Sequence, residues 1–154
     1  MTIPDWVFDI EYKAMTLNND WVHGSYVKQL NDKGEISHWM IPLNATAGVE
    51  IRLESLCLYT GRKDRRGRRI YQNDLIGKDD GSAALVVYMP TTGFFLRWGE
   101  GRGRATFSHV GRDSGFFVIG NICENPKLVG QISRWGKSYY KQKVAADDEI
   151  PVIA

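Results

Sequence analysis

Residues 59–76 read YTGRKDRRGRRIYQNDLI, and residues 119–129 read IGNICENPKLV. Both set Gly, Asn, Asp and Pro between apolar residues, the composition of turns that fix how strands pair. Asp64 is placed to accept bonds from the backbone N–H groups that follow it while Gly67 closes the turn, an Asx-type arrangement. Asp74 is placed to brace the turn into Leu75 and Ile76. Asn121 and Asn125 read as capping or turn residues, and Pro126 suits the first turn of a short final helix. Turn chemistry accounts for the type and spacing of these residues, so no catalysis is expected of them.

Upstream of this stretch the pattern is one of strands. Residues 49–58 set Val49, Ile51 and Leu53 against Glu50, Arg52 and Glu54, which predicts a two-faced strand. Residues 35–43 predict another, carrying Ile36, Trp39, Met40 and Ile41. Asn31, Asp32, Lys33 and Gly34 form the hairpin turn before it, because Asn, Asp and Gly tolerate positive φ. A third strand begins at Trp21, after a turn over residues 17–20, and residues 1–20 otherwise carry no clear period. Downstream, residues 84–89, 94–98, 105–110 and 116–122 are short apolar runs separated by Gly or Pro, as in a small barrel or a curled sheet. Gly99–Gly103 reads as a hairpin loop, since it lacks the Lys-Ser/Thr ending of a phosphate-binding loop. Past Pro126, Leu128, Ile132, Trp135 and Tyr139 recur at helical spacing, although Gly130 and Gly136 weaken a helix there by about 1 kcal/mol each.

The chain has 154 residues, 43% of them apolar and 25% charged, which suits one domain with a real core. Five Trp, seven Tyr and six Phe lean the class toward β. A net charge of +2 announces no polyanion partner by itself. No apolar run approaches the ~18 residues of a bilayer span, and the acidic start (Asp5, Asp9, Glu11) is unlike a secretory signal. A cytoplasmic protein without a membrane partner is expected. Two isolated cysteines, Cys57 and Cys123, read as buried reduced thiols, with a bridge between two strands as the alternative.

Thr60-Gly61, Asp64, Gly67, Ile70-Tyr71 and Asp74-Leu75-Ile76 together resemble the signature of the YopX family, small proteins encoded mostly by bacteriophages and prophages. Gly120-Asn121-Ile122, Glu124-Asn125-Pro126 and Leu128 resemble its closing motif, and Gly24-Ser25-Tyr26-Val27-Lys28 resembles an early strand of many members. The resemblance covers about residues 20–130 and implies an architecture but no established activity. Two departures stand out. Asn73 occupies a position where members usually have Gly, and Asn is among the residues most tolerant of a left-handed backbone. The turn between Gly61 and Ile70 is also unusually basic, with six cations (Arg62, Lys63, Arg65, Arg66, Arg68, Arg69) against the one anion, Asp64.

That turn is the sharpest functional candidate. Arg97, Arg102, Arg104 and Arg112 extend it if the strands bring them to one face, with Trp98, Phe107, Tyr71 or Tyr88 as stacking surfaces for single-stranded nucleic acid. The plainer reading is a solvated hairpin tip that keeps a sheet edge from pairing. His23, His38 and His109 lack metal-site spacing, and Cys57 lies in an apolar strand where a thiolate is disfavoured. Asp79 and Asp80 read as solvated.

The sequence therefore predicts a mainly β protein, with some α+β character at most: a small SH3-like barrel or curled antiparallel sheet and a short C-terminal helix. Residues 1–130 form the YopX-like β domain (early strands 21–58, barrel core 59–129), and residues 131–154 a helical segment and tail. The functional expectation is a non-enzymatic interaction module that forms homo-oligomers through an exposed strand edge or the C-terminal segment, with Trp135, Tyr139 and Tyr140 as anchors. Nucleic-acid binding through residues 62–69 is the alternative. No cofactor, metal or small-molecule ligand is expected.

Overall fold

The computed structural model describes residues 11–98, 102–107, 110–111 and 114–127. The chain divides into two units, Met1–Gly61 and Arg62–Ala154. The described residues are mainly β, in two antiparallel sheets, and no sheet among them closes into a barrel. Of the two forms the sequence allowed, the open sheet is the one observed.

The first unit contains β1 (Tyr12–Met15), β2 (Trp21–Leu30), β3 (Ile36–Pro42), β4 (Val49–Glu50) and the start of β5 (Cys57–Lys63). The sheet order is β4-β3-β2-β1-β5, with β6 (Arg69–Tyr71) next to β5. Turn chemistry sets the register. Asn19 takes a φ of 65°, and Thr16 N–H donates to the Asp20 carbonyl at 2.9 Å to close β1 on β2. Asn31 Oδ1 accepts from the N–H groups of Lys33 and Glu35 at 3.0 and 2.8 Å, and Gly34 takes a φ of 78° to close β2 on β3. One sheet face buries Ala14, Met40 and Ile51, with Tyr12, Val22, Tyr26 and Leu56 packed around them.

Residues 49–58 depart from the single strand expected of their alternation. Only Val49 and Glu50 form β4, Ile51 makes one bridge to Thr16, and Leu53–Ser55 is a 3-10 turn. The cause is Ser55, whose Oγ accepts from Met15 N–H at 2.7 Å and donates to the Arg52 carbonyl at 2.6 Å. That pair of bonds folds the segment over the end of β1. Only the middle of the apolar face is covered, since Ile51 is buried while Val49 and Leu53 stay 37% and 47% exposed. Alternation whose face is covered at one residue alone does not extend a strand.

Gly24 sits between Tyr12 of β1 and Pro42 of β3. A Cβ there would lie 1.9 Å from the Ile41 carbonyl oxygen, which is backbone and has little room to move. Gly24→Ala is expected to destabilise the protein by about 3 kcal/mol, the upper range of overpacking costs. Urea denaturation checks this, and a midpoint equal to wild type would remove the steric argument.

The second unit holds β7 (Asp74–Gly77), β8 (Ala83–Met89), β9 (Gly93–Trp98), β10 (Arg102–Thr106) and β11 (Phe117–Asn121), ordered β10-β9-β8-β7-β11. Alternate residues fill opposite faces. Ile76, Ala84, Val86, Leu96 and Val118 join Ile70, Phe107, Val110 and Phe116 on one side, while Leu75, Ala83, Leu85, Phe117 and Ile119 cluster on the other. A sheet apolar on both faces explains why its runs look continuous in sequence. β11 returns to pair with β7, joining Val118 to Ile76 and Asn121 to Asp74, with a register shift between Val118 and Gly120.

Helical structure opens at Pro126–Lys127. The rest of the expected helix, including Trp135, Tyr139 and Tyr140, lies outside the described residues. Among the described residues no helix is long and apolar enough to cross a membrane. Cys57 is buried, with Sγ 3.3 Å from the Ser55 carbonyl, while Cys123 is half-buried.

Candidate functional site

The turn between β5 and β6 is built around Asp64, which is fully buried. Its Oδ1 accepts from the N–H groups of Arg66 and Arg68, both at 2.8 Å. Gly67, at a φ of 80°, donates to the Asp64 carbonyl at 3.0 Å. The other oxygen, Oδ2, reaches 54 residues along the chain to the N–H of Val118 at 2.9 Å. One carboxylate thus shapes a local turn and fastens it to β11.

Asp74 repeats the arrangement at the β6–β7 turn, where Asn73 takes a φ of 69°. Its Oδ2 accepts from Tyr71 N–H at 2.7 Å, so the brace runs back to Tyr71 rather than forward to Leu75 and Ile76. Its Oδ1 accepts from Asn121 Nδ2 at 2.9 Å. Asn121 Oδ1 in turn accepts from Cys123 N–H at 2.9 Å, and its carbonyl accepts from Glu124 and Asn125 N–H at 3.1 and 2.7 Å. Gly120 lies on β11 just before this turn, and Gly61 on β5 takes a φ of 82°. The two sequence motifs are therefore joined by the Asp74–Asn121 bond, and Asp64 is tied to Val118, the residue just before the second motif. Buried carboxylates with both oxygens occupied by fixed donors are costly to disturb.

The basic residues around this frame are partly engaged. Arg65 makes a two-point pair with Asp79, at 2.7 and 2.9 Å, and lies 4.3 Å from the centre of the Phe117 ring. Arg66 lies 4.7 Å from the same ring centre. Arg62 Nη1 donates to the Val110 carbonyl at 2.7 Å, with its guanidinium 5.7 Å from the Phe107 ring. Lys78 Nζ lies 4.5 Å from the Phe116 ring. Lys63, Arg66 and Arg69 are exposed, and Arg68 is half-buried.

The Arg65 guanidinium holds the Asp79 carboxyl below the usual carboxylate range, with Arg66 adding to the effect and Asp80 opposing it. A carboxyl with a depressed folded pKa stabilises above its unfolded pKa, and that contribution is lost as pH falls through the folded value. Asp79 is exposed, so the pair orders Arg65 more than it stabilises the fold.

Two of the expected stacking surfaces are unavailable, because Tyr71 and Phe107 are buried in the core. Tyr88 is half-buried, 4.9 Å from Phe94 between ring centroids. Arg102 and Arg104 lie on β10 opposite Trp98 and Arg97 of β9, and Arg112 and His109 lie outside the described residues. Among the described residues no group of His, Cys, Asp and Glu is arranged to hold a metal ion.

A second surface has only a faint trace in the sequence. Among the described residues, β1 pairs with β2 only between Trp21 and Gly24, and β4 pairs with β3 only at Trp39 and Met40. Among the described residues only the end of this hairpin, Lys28–Leu30 with Ile36–His38, therefore extends as a two-stranded arm. Leu30 and Ile36 face each other across it, 67% and 54% exposed. Below that rung lie Lys28 and His38, and His38 Nδ1 is 2.6 Å from the Tyr26 hydroxyl. The trace is a pair of apolar residues flanking a turn, Leu30 before it and Ile36 after it, which by pattern alone are simply strand ends.

This is a two-sheet β protein whose buried polar residues tie distant turns together. The chain belongs to the YopX family: the family model described as YopX protein matches residues 11–130. It is similar in structure to protein EF1440 from Enterococcus faecalis, at 20% identity and a TM-score of 0.50, over 80% of this chain and 99% of that one. Likeness at that identity concerns the fold alone. No curated protein matches the chain.

Proposed function

We propose that this YopX-family chain is a non-enzymatic interaction module that self-associates through exposed strand surface. The observation that carries the reading is the β2–β3 arm, where Leu30 and Ile36 form an apolar rung open to water. A two-stranded hairpin is marginal by itself and gains from being covered. Burying a Leu or Ile side chain contributes about 1.5–3 kcal/mol. The non-enzymatic part is supported by the carboxylates of Asp64 and Asp74, whose oxygens are committed to backbone and amide donors. Sedimentation velocity across a concentration series is expected to show a dimer or larger species. A strict monomer at every concentration would remove the proposal.

Nucleic-acid binding through the β5–β6 turn is the second reading. It is favoured by Lys63, Arg66 and Arg69, three cations of one turn that are all exposed. The Arg65–Asp79 pair weighs against it, since it engages one cation of the turn. On this reading single-stranded DNA binds with an affinity that falls steeply with salt. Asp79→Asn, which removes the carboxylate beside Arg65, is expected to tighten that binding severalfold at low salt, because it takes away about one opposing charge from the turn. Fluorescence anisotropy showing no binding at low salt would end this reading.

A further inference from the structure

We infer that the β2–β3 arm is the contact between two copies of this chain, packed arm to arm about a two-fold axis through Leu30. The inference rests on the self-association proposed above and names where it occurs. Lys28 lies two residues before Leu30 on β2, on the same face of the hairpin by alternation, and Asp32 follows two residues after it in the turn. Both charged residues are exposed.

A two-fold axis through Leu30 reverses strand direction between the copies. Lys28 of one copy then meets Asp32 of the other, and the pair occurs twice, as a self-complementary interface requires. Stacking the arms in the same direction would instead oppose Lys28 to Lys28. Ile36, directly across from Leu30, widens the apolar centre on each side. Lys28 and Lys33 balance Asp32 and Glu35 along the arm, so two arms approach without net repulsion. The same balance makes the arm a poor surface for a polyanion. Charges on both sides of Leu30 suit a polar-rimmed protein contact.

The test is sedimentation velocity on the full chain, with far-UV circular dichroism to establish that each variant is folded. Wild type is expected to dimerise, and Leu30→Ser to weaken dimerisation by about tenfold or more. Lys28→Asp and Asp32→Lys are each expected to weaken it by about tenfold, and Lys28→Asp with Asp32→Lys to restore it to within about threefold. A folded Leu30→Ser variant that dimerises like wild type would overturn the arm contact while leaving self-association standing. Loss with Leu30→Ser but no recovery in the charge-swapped variant would overturn the two-fold arrangement. A wild-type monomer at all concentrations would overturn self-association itself, and the arm contact with it.

Discussion

Asp64→Ala is expected to lower stability by about 4 kcal/mol, a large part of the ~5–15 kcal/mol that holds a domain of this size folded. The side chain accepts three backbone N–H bonds at 2.8–2.9 Å and is fully buried. Hydrogen bonds to a charged group contribute about 1.5–3 kcal/mol each, and a buried donor left without an acceptor costs about 1–3. Water can reach the Arg66 and Arg68 amides, which are only part-buried, so those two bonds are partly replaced. The Val118 amide is buried and is not. Asp64→Asn is expected to cost about 3 kcal/mol, because turning one oxygen into an NH2 group points a donor at a donor. Urea unfolding measures the loss, and amide hydrogen exchange locates it at Val118. A loss below about 1 kcal/mol for Asp64→Ala would show that the turn and β11 are held by something else.

The local half of this arrangement is legible in the sequence and the distant half is not. Asp64 sits two and four residues before the amides it caps, and that spacing with Gly67 is a turn signature at sight. Nothing in it specifies which of two oxygens remains for Val118, 54 residues away. The spacing around Asp74 points to the residues after it. Its bonds instead run back to Tyr71 and across to Asn121, because the left-handed Asn73 turns the chain so that Tyr71 N–H points at the carboxylate. Strand β1 is invisible in the sequence for a related reason. Glu11, just before the strand, and Lys13 within it are both buried, at 4% and 2% exposure, so a largely covered segment carries the residue types of a half-wet one. Lys13 lies 4.7 Å from the Trp21 ring centre, a contact no period announces.

The basic turn is harder to read for the opposite reason. Counting charges treats six cations as one surface, whereas the fold assigns several of them separate partners. Asp79, which reads as solvated, is largely exposed and still grips Arg65 at two points. Charge in a sequence is additive, but a salt bridge depends on where a loop ends. Between Arg65 and Asp79 run two strands and their turns, and the sequence reports neither the distance nor the direction they cover.

Exchanging Asp74 and Asn121 separates the hydrogen-bond pattern from the bulk of the two side chains. Asp74→Asn alone sets an amide against an amide or leaves Tyr71 N–H unpaired, and it is expected to cost about 2–3 kcal/mol. Asn121→Asp alone brings a second carboxylate against the first inside the core and is expected to cost about 3–5 kcal/mol. With both changes, the new amide at position 74 accepts from Tyr71 N–H and donates to the new carboxylate at position 121. The second oxygen of that carboxylate accepts from Cys123 N–H. The three bonds that join Tyr71, Asp74, Asn121 and Cys123 then each have a counterpart. The double variant is accordingly expected to lie within about 1.5 kcal/mol of wild type, a coupling of several kcal/mol between residues 47 positions apart. Urea midpoints for the four proteins close the cycle. Additive losses would mean that each residue acts through its own neighbours and that the two motifs are joined by the β7–β11 backbone pairing and by packing.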